Sequence, residues 1–407
     1  MIPYGRQDIS QDDIDAVVEV LRSDFITQGP TIARFEEAVA DYCGVAHAVA
    51  VNSATSALHI ACLALELAPG DLLWTSPYTF VASANSALYC GAEVDFVDID
   101  SSTGNMSLTA LEAKLICAAG RGRLPKVVMP VHFAGQSCAM QEIAVLSRRY
   151  GFRIIEDGSH AIGGRYRDAP TGCCRYCDIT VFSFHPVKII TTGEGGMALT
   201  NNEQLASRME RLRSHGITRD RSLMVGDTEG DWLYEQVELG FNYRMTDLQA
   251  ALGLSQLARL DEYVRRRHAL VRRYRSLLQG LPVLLPRETQ ETYSAYHLFV
   301  VRLDPAPCRA RRAEVFARMR AAGIGVNVHY IPVHTQPYYR QLGHQDGDFP
   351  NAETFYAGAL TLPLYPGLTF EEQDLVVDAL RDALCKECAD EATFVHAGPK
   401  PAPSLVS

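Results

Sequence analysis

Apolar residues in this chain fall into two spacings, short unbroken runs and longer stretches repeating every three to four positions. Ser10-Gln11-Asp12-Asp13 begins a helix with Ile14, Val17, Val18 and Leu21 on one face. Thr27-Gln28-Gly29-Pro30 is a break. Thr31 is expected to cap the next helix, which turns Phe35, Ala38 and Val39 inward and ends at Gly44. The pattern then changes. Ala48-Val49-Ala50-Val51 reads as a buried strand, and Asn52-Ser53-Ala54-Thr55-Ser56 leads into a helix through Leu58, Ala61, Ala64 and Leu65. That helix is apolar on nearly every side, so it is expected to be buried.

Strand and helix continue to alternate. Leu72–Thr75, Glu93–Val97, Lys126–Val131, Phe152–Ile155 and Ile179–Phe182 are predicted strands, with helices from Val81 and through Ile143, Leu146 and Tyr150. This order implies a largely parallel sheet with helices on both faces. Ligands in such sheets sit beyond the carboxyl ends of the strands, so the residues just after each strand carry the chemistry. From Thr246 one long helix is predicted, with Leu248, Ala251, Leu252, Leu254, Leu257, Leu260 and Val264 at helical spacing. A smaller α/β segment follows: a strand over Tyr296–Val301, a helix over 311–322, a strand over Ile324–His329 and a helix from Glu371 to about Leu384. Beyond Cys388 the chain is small, polar and proline-rich, and a disordered tail over 389–407 is expected.

Composition adds little to this outline. The 407 residues are 47% hydrophobic and 21% charged, which is ordinary globular composition. A net charge of −10 argues against a general nucleic-acid or membrane-surface binder. No run is long enough to span a membrane and Met1-Ile2-Pro3-Tyr4-Gly5 begins no signal peptide, so a cytoplasmic protein is expected. Two Cys-x-x-Cys pairs, Cys174/Cys177 and Cys385/Cys388, lie far beyond usual zinc spacing, and no metal site is expected.

The strand ends supply the candidate chemistry. Lys188 follows the strand ending at Phe182 and stands among Val187, Ile189 and Ile190. A lysine with apolar neighbours can be held with a lowered pKa, as a Schiff-base lysine requires; the alternative is a surface lysine lying along apolar neighbours. Asp157 ends another strand, with His160 three residues on. It is either a helix-capping carboxylate or one facing a cofactor's ring nitrogen. Thr55 and Ser56 stand at a helix N-terminus, where hydroxyls either cap or bind phosphate. A lysine, a carboxylate, a histidine and a phosphate seat together are what pyridoxal phosphate requires.

Four strings in this order resemble the DegT-type sugar aminotransferases: Asn52-Ser53-Ala54-Thr55-Ser56-Ala57-Leu58, Ile155-Glu156-Asp157-Gly158-Ser159-His160-Ala161, Phe182-Ser183-Phe184-His185-Pro186-Val187-Lys188 and Gly240-Phe241-Asn242-Tyr243-Arg244-Met245-Thr246-Asp247. The resemblance runs from about Thr27 to Leu384. It implies an α/β architecture, the pyridoxal-phosphate transferase fold type I of aspartate aminotransferase. A large domain over 1–260 would hold a mostly parallel seven-stranded sheet, and a small α/β domain would cover 261–388. The N-terminal helix is a candidate to pack on the small domain.

The resemblance also assigns roles. Lys188 would carry the cofactor, Asp157 would pair with the pyridine nitrogen and His160 would lie near the phenolic oxygen. Ala54, Thr55 and Ser183 would contact the phosphate, and Phe80 would stack on the ring. Asn242 would reach the cofactor of a second subunit, making the active unit a homodimer with shared sites. His185, His329 and Tyr330 would line the sugar-nucleotide site. The amino donor would be L-glutamate. Within the family, Thr27-Gln28-Gly29, Ile190-Thr191-Thr192-Gly193-Glu194-Gly195-Gly196 and Arg213-Ser214-His215-Gly216 are most like the subgroup of pseudaminic acid synthesis. That subgroup aminates C4 of a UDP-linked 4-keto-6-deoxy-N-acetylhexosamine. Ile189 departs from it, since proline is expected there. Perosamine- or 4-amino-arabinose-type aminotransferases and a non-catalytic cofactor-binding sensor are the other readings.

Overall fold

Seven strands form the large sheet of the computed structural model, which describes residues 1–226, 230–306 and 310–385. They are β1 (His47–Val51), β2 (Leu72–Thr75), β3 (Glu93–Phe96), β4 (Val127–Met129), β5 (Arg153–Asp157), β6 (Ile179–Ser183) and β7 (Gly196–Thr200). Their order across the sheet is β1-β7-β6-β5-β4-β2-β3. β2 to β6 pair in parallel, and β7 runs antiparallel between β6 and β1. The apolar pattern accounts for six of these strands. β7 escapes it because Gly196-Met197-Ala198-Leu199-Thr200 holds only three apolar residues, none of them β-branched.

Helices cover both faces: α1 (Gln11–Leu21), α2 (Pro30–Cys43), α3 (Ala54–Ala64), α4 (Val81–Tyr89), α5 (Leu108–Gly120), α6 (Met140–Tyr150), α7 (Glu203–Arg213), α8 (Asp247–Leu257) and α9 (Leu260–Leu277). α3 is the buried helix foreseen from its composition, with Leu58, Ile60 and Ala61 essentially inaccessible. α1 starts with a capping box between Ser10 and Asp13. It packs on α8, where Ser255 Oγ and Gln256 Nε2 donate to the Asp13 carboxylate at 2.6 and 2.7 Å.

Two helix expectations need correction. Thr31 does not cap α2: Gly29 is the N-cap, Pro30 takes the first helical position, and Asp247 accepts from the N–H groups of Gly29 and Thr31. The long helix after Thr246 is two helices, broken at 258–259, although the leucine spacing continues across the break.

The first half of α9 (Tyr263, Val264) joins the core of the large sheet. Its second half (Leu270, Val271, Tyr274) joins a separate core under a small antiparallel sheet of β8 (Val283–Leu284), β9 (Phe299–Leu303) and β10 (Ala359–Leu362). Around this sheet lie α10 (Arg312–Ala321), α12 (Pro350–Gly358) and α13 (Phe370–Cys385), while α11 (Pro337–Gln341) packs its Tyr339 against Ala84 of α4 and Phe96 of β3. β9 starts three residues later than the apolar run beginning at Tyr296. Residues 324–329 form no strand and make only single bridges, Ile324 to Ile2 and Asn327 to Thr361. The proline-rich tail expected after Cys388, and Cys388 itself, lie outside the described residues. Cys174 and Cys177 each approach Thr180 Oγ1, at 3.4 and 3.3 Å, and both are free thiols.

Candidate active site

A cavity of about 560 Å³ opens beyond the carboxyl ends of β5 and β6, where a parallel sheet places its ligands. Ten of the eleven residues assigned roles above line it: Ala54, Thr55, Phe80, Asp157, His160, Ser183, His185, Lys188, His329 and Tyr330. Asn242 does not. It lies outside on an exposed segment, bridged to Ser214.

Lys188 sits on a loop closed at its neck. Phe184 N–H donates to Gly195 O at 2.9 Å, and Thr192 N–H and Thr191 Oγ1 return to Phe184 O. Ile189 and Ile190 plug the loop into the core below. The Lys188 ammonium makes no ion pair among the described residues, and burial lowers its pKa to about 8, against a partial upward pull from Asp157.

Asp157, the last residue of β5, is held at both oxygens. Ser83 Oγ donates to Oδ2 at 2.6 Å and Ser159 N–H to Oδ1 at 3.1 Å. With its proton committed to the carboxylate, Ser83 Oγ accepts in turn from Thr79 Oγ1 at 2.9 Å. α4 thereby delivers both the Asp157 anchor and Phe80, its exposed N-cap residue, whose ring lies 6.1 Å from that of Tyr330.

The N-terminus of α3 forms another wall. Ser53 caps it, its Oγ accepting from Ser56 N–H at 3.1 Å. Gly196 at the head of β7 lies directly against it: a Cβ there would stand 2.5 Å from Ala54 N. Only glycine permits that approach, which sets the first N–H groups of α3 beside Ser183 at the cavity wall.

Three imidazoles complete the site. Burial first, then the charge of Lys188, holds His160 well below the usual histidine pKa. Burial and Lys188 take His329 down to about 4. A neutral His329 fits its neighbours, Thr361 Oγ1 at 2.8 Å from Nδ1 and Asn327 Nδ2 at 3.4 Å from Nε2. His297, not foreseen as a site residue, lies with its ring 4.4 Å from that of His160 and is also kept neutral by burial. Tyr4 was likewise not foreseen. It reaches the cavity from the N-terminus, with its ring 5.3 Å from that of His329. His297 sits in an apolar run that reads only as strand, and Tyr4 has no local signal at all.

These walls fit pyridoxal phosphate: a lysine with lowered pKa, a carboxylate anchored at both oxygens, and a helix N-terminus that a side chain at Gly196 would obstruct. Residues 7–381 match the model of the DegT/DnrJ/EryC1/StrS aminotransferase family. The chain belongs to this aminotransferase family. Pyridoxal phosphate is its cofactor, and a sugar nucleotide and an amino donor are the substrates the family implies. It is 39% identical over 384 residues to the spore coat polysaccharide biosynthesis protein SpsC of Bacillus subtilis, covering 94% of this chain and 96% of that one. It is 37% identical over 387 residues to the UDP-4-amino-4,6-dideoxy-N-acetyl-beta-L-altrosamine transaminase of Campylobacter jejuni, covering 95% and 98%. The putative sugar aminotransferase Spr1654 of Streptococcus pneumoniae, solved in a PMP-form, superposes with a TM-score of 0.85 at 31% identity, covering 94% and 99%. No helix among the described residues is long and apolar enough to cross a membrane.

Proposed function

We propose that this aminotransferase moves the amino group of L-glutamate to C4 of a UDP-linked 4-keto-6-deoxy-N-acetylhexosamine, a step of pseudaminic acid synthesis. The observation that carries this reading is the near full-length match to the Campylobacter jejuni altrosamine transaminase. Bound in the cavity, pyridoxal phosphate supplies the carbonyl that takes up the amine and the ring that accepts electrons when a proton leaves the neighbouring carbon.

The protein does the rest. Lys188 holds the cofactor and, once displaced, is a base matched to near-neutral pH by its burial. It removes the proton from the α-carbon of the donor. Asp157, kept in place by Ser83 and Ser159, would pair with the ring nitrogen and hold its proton. The first N–H groups of α3 at Ala54 and Thr55, with Ser183, take the phosphate. Phe80 would stack on the ring. His185 and His329, which line the cavity, would contact the sugar nucleotide. Asn242, outside its own cavity, serves the site of a second copy, so the working unit is a homodimer that reacts in the cytoplasm.

Incubating the purified protein with glutamate and the UDP-linked 4-keto sugar, and identifying the product by mass spectrometry, tests this reading. A 4-amino sugar that fails to form with Lys188→Ala is expected. Product only from a GDP-linked 4-keto sugar, or from a 4-keto pentose, would replace the substrate assignment. An active Lys188→Ala protein would refute the role of the lysine.

A further inference from the structure

A pair of thiols that does not line the cavity lies where α3 packs against α4. His59 and Cys62 stand three residues apart on one face of α3, and Ser86 and Cys90 stand four apart at the end of α4. Cys62 Sγ lies 3.6 Å from Ser86 Oγ and Cys90 Sγ lies 3.3 Å from Ser86 O, so one residue of α4 holds both sulfurs. The two thiols also hydrogen-bond to each other, and His59 bonds to Cys90. Aromatic neighbours fix the imidazole: His59 Nδ1 is 3.2 Å from Tyr243 Oη, and its ring is 4.8 Å from that of Phe241. Cys62 is fully buried, whereas Cys90, the C-cap of α4, keeps 9% of its surface beside the exposed Tyr89.

The two sulfurs divide the work of an oxidation between them. Thiolates, not thiols, attack oxidants, and a neighbouring imidazole favours the thiolate. The Cys62 thiol first, then His59, draw the Cys90 pKa down against its burial, while Cys90 and burial push that of Cys62 up. By contrast, burial pushes Cys43, Cys173 and Cys177 up, and Cys174 and Glu156 push Cys177 further. We propose that Cys62 and Cys90 are an oxidisable dithiol that a hydroperoxide converts to a reversible disulfide. The Cys90 thiolate attacks one peroxide oxygen and the O–O bond breaks. Cys90 becomes a sulfenic acid, and the departing oxygen takes up the proton that Cys90 released. The Cys62 sulfur then attacks the Cys90 sulfur. The S–S bond forms, the S–O bond breaks, and the hydroxide leaves as water with the proton of Cys62. Two thiols give up two electrons, and the hydroperoxide takes them in becoming an alcohol and a water. The bond ties α3 to α4, the helices whose first residues wall the cavity.

The holoenzyme is treated with hydrogen peroxide, its free thiols are alkylated, and its chymotryptic peptides are mapped by mass spectrometry without reductant. Two peptides joined through Cys62 and Cys90, and released by dithiothreitol, are expected. Cys62→Ala should stop at a sulfenic acid on Cys90, trapped by dimedone, and Cys90→Ala should leave Cys62 unoxidised. His59→Gln should slow the cross-link about tenfold, the result of a thiol pKa higher by about one. Cys62 and Cys90 both alkylated after peroxide would overturn the proposal. So would a sulfenic acid that persists on Cys90 in the wild-type protein, or oxidation of Cys62 in Cys90→Ala. An unchanged rate in His59→Gln would overturn the activation of Cys90 by the imidazole. The wild-type map decides even where a variant fails to fold. None of these readouts uses a sugar or an amino donor, so the substrate assignment and this dithiol stand or fall separately.

Discussion

Gly196→Ala is the smallest change expected to damage the cofactor seat. The methyl group would stand 2.5 Å from both Ala54 N and Ser53 C and 2.6 Å from Ala54 Cα. Ordinary contact begins at 3.4 Å, so one side must retreat by 3.4 − 2.5 = 0.9 Å. β7 cannot, because Gly196 is paired with Val51 on one side and Ser183 on the other. The start of α3 is pinned by the Ser53 cap and by Ser56 Oγ donating to Asn52 Oδ1 at 2.7 Å, and the helix behind is buried. Overpacking of this kind costs about 1–3 kcal/mol, and rigid backbone on both sides puts Gly196→Ala at the upper end. In a chain of this length that lowers Tm by roughly 2–4 °C. The effect on the cofactor is larger. A shift of this size breaks a hydrogen bond from an α3 N–H to the phosphate, worth about 1.5–3 kcal/mol, or roughly ten- to a hundredfold in Kd. Calorimetry of the apoprotein and fluorescence titration with pyridoxal phosphate measure the two effects separately. Gly193→Ala is the control: it has a left-handed φ of 80° but open space around the position, so it should cost some stability and no cofactor affinity. Wild-type Tm and wild-type cofactor affinity in Gly196→Ala would refute the close-approach argument.

Ser83→Ala removes the donor 2.6 Å from Asp157 Oδ2 and should lower kcat/KM about tenfold or more, with cofactor content retained; steady-state kinetics against glutamate checks it. Lys188 gives a pH-dependent stability. Its pKa is about 8 when folded and 10.5 in the unfolded chain, so between these values the unfolded state binds more protons and apoprotein stability rises with pH. Below pH 8 both states are protonated and the folded state bears the full cost of burial, so the advantage of Lys188→Met in urea unfolding at pH 7 should shrink at pH 10. Mixing Lys188→Ala with Asn242→Ala should restore activity in roughly a quarter of all sites, because a mixed dimer rebuilds one intact site from two defective chains. No recovery after subunit exchange would remove Asn242 from the partner's site.

What could be read in the chain and what could not divide along a physical line. Lys188, Asp157, Ser183 and the start of α3 belong to strand ends, where a few consecutive residues set both the backbone turn and the chemistry. Their signatures are local and therefore legible. The far wall has a different origin. Tyr4 arrives because Ile2 bridges to Ile324 across the length of the chain, with Ile2 N–H donating to Gly323 O at 2.9 Å. Gly325 admits that crossing, since a Cβ there would stand 2.9 Å from Ile2 O. His297 comes in on a segment whose backbone is fastened from behind: the fully buried Arg267 donates to the carbonyls of Tyr296, His297 and Leu364. Each contact joins positions far apart in sequence, and no spacing of apolar residues encodes it. The same limit hides the break in the helix after Thr246, because both of its halves present leucines at the same period to different neighbours. On the proposed reading the locally written wall is the one that would hold the cofactor, and the wall assembled over long distances is the one that would face the sugar. That division is why the aminotransferase chemistry is legible in contiguous strings while the wall that contains Tyr4 and His297 is seen only in the folded chain.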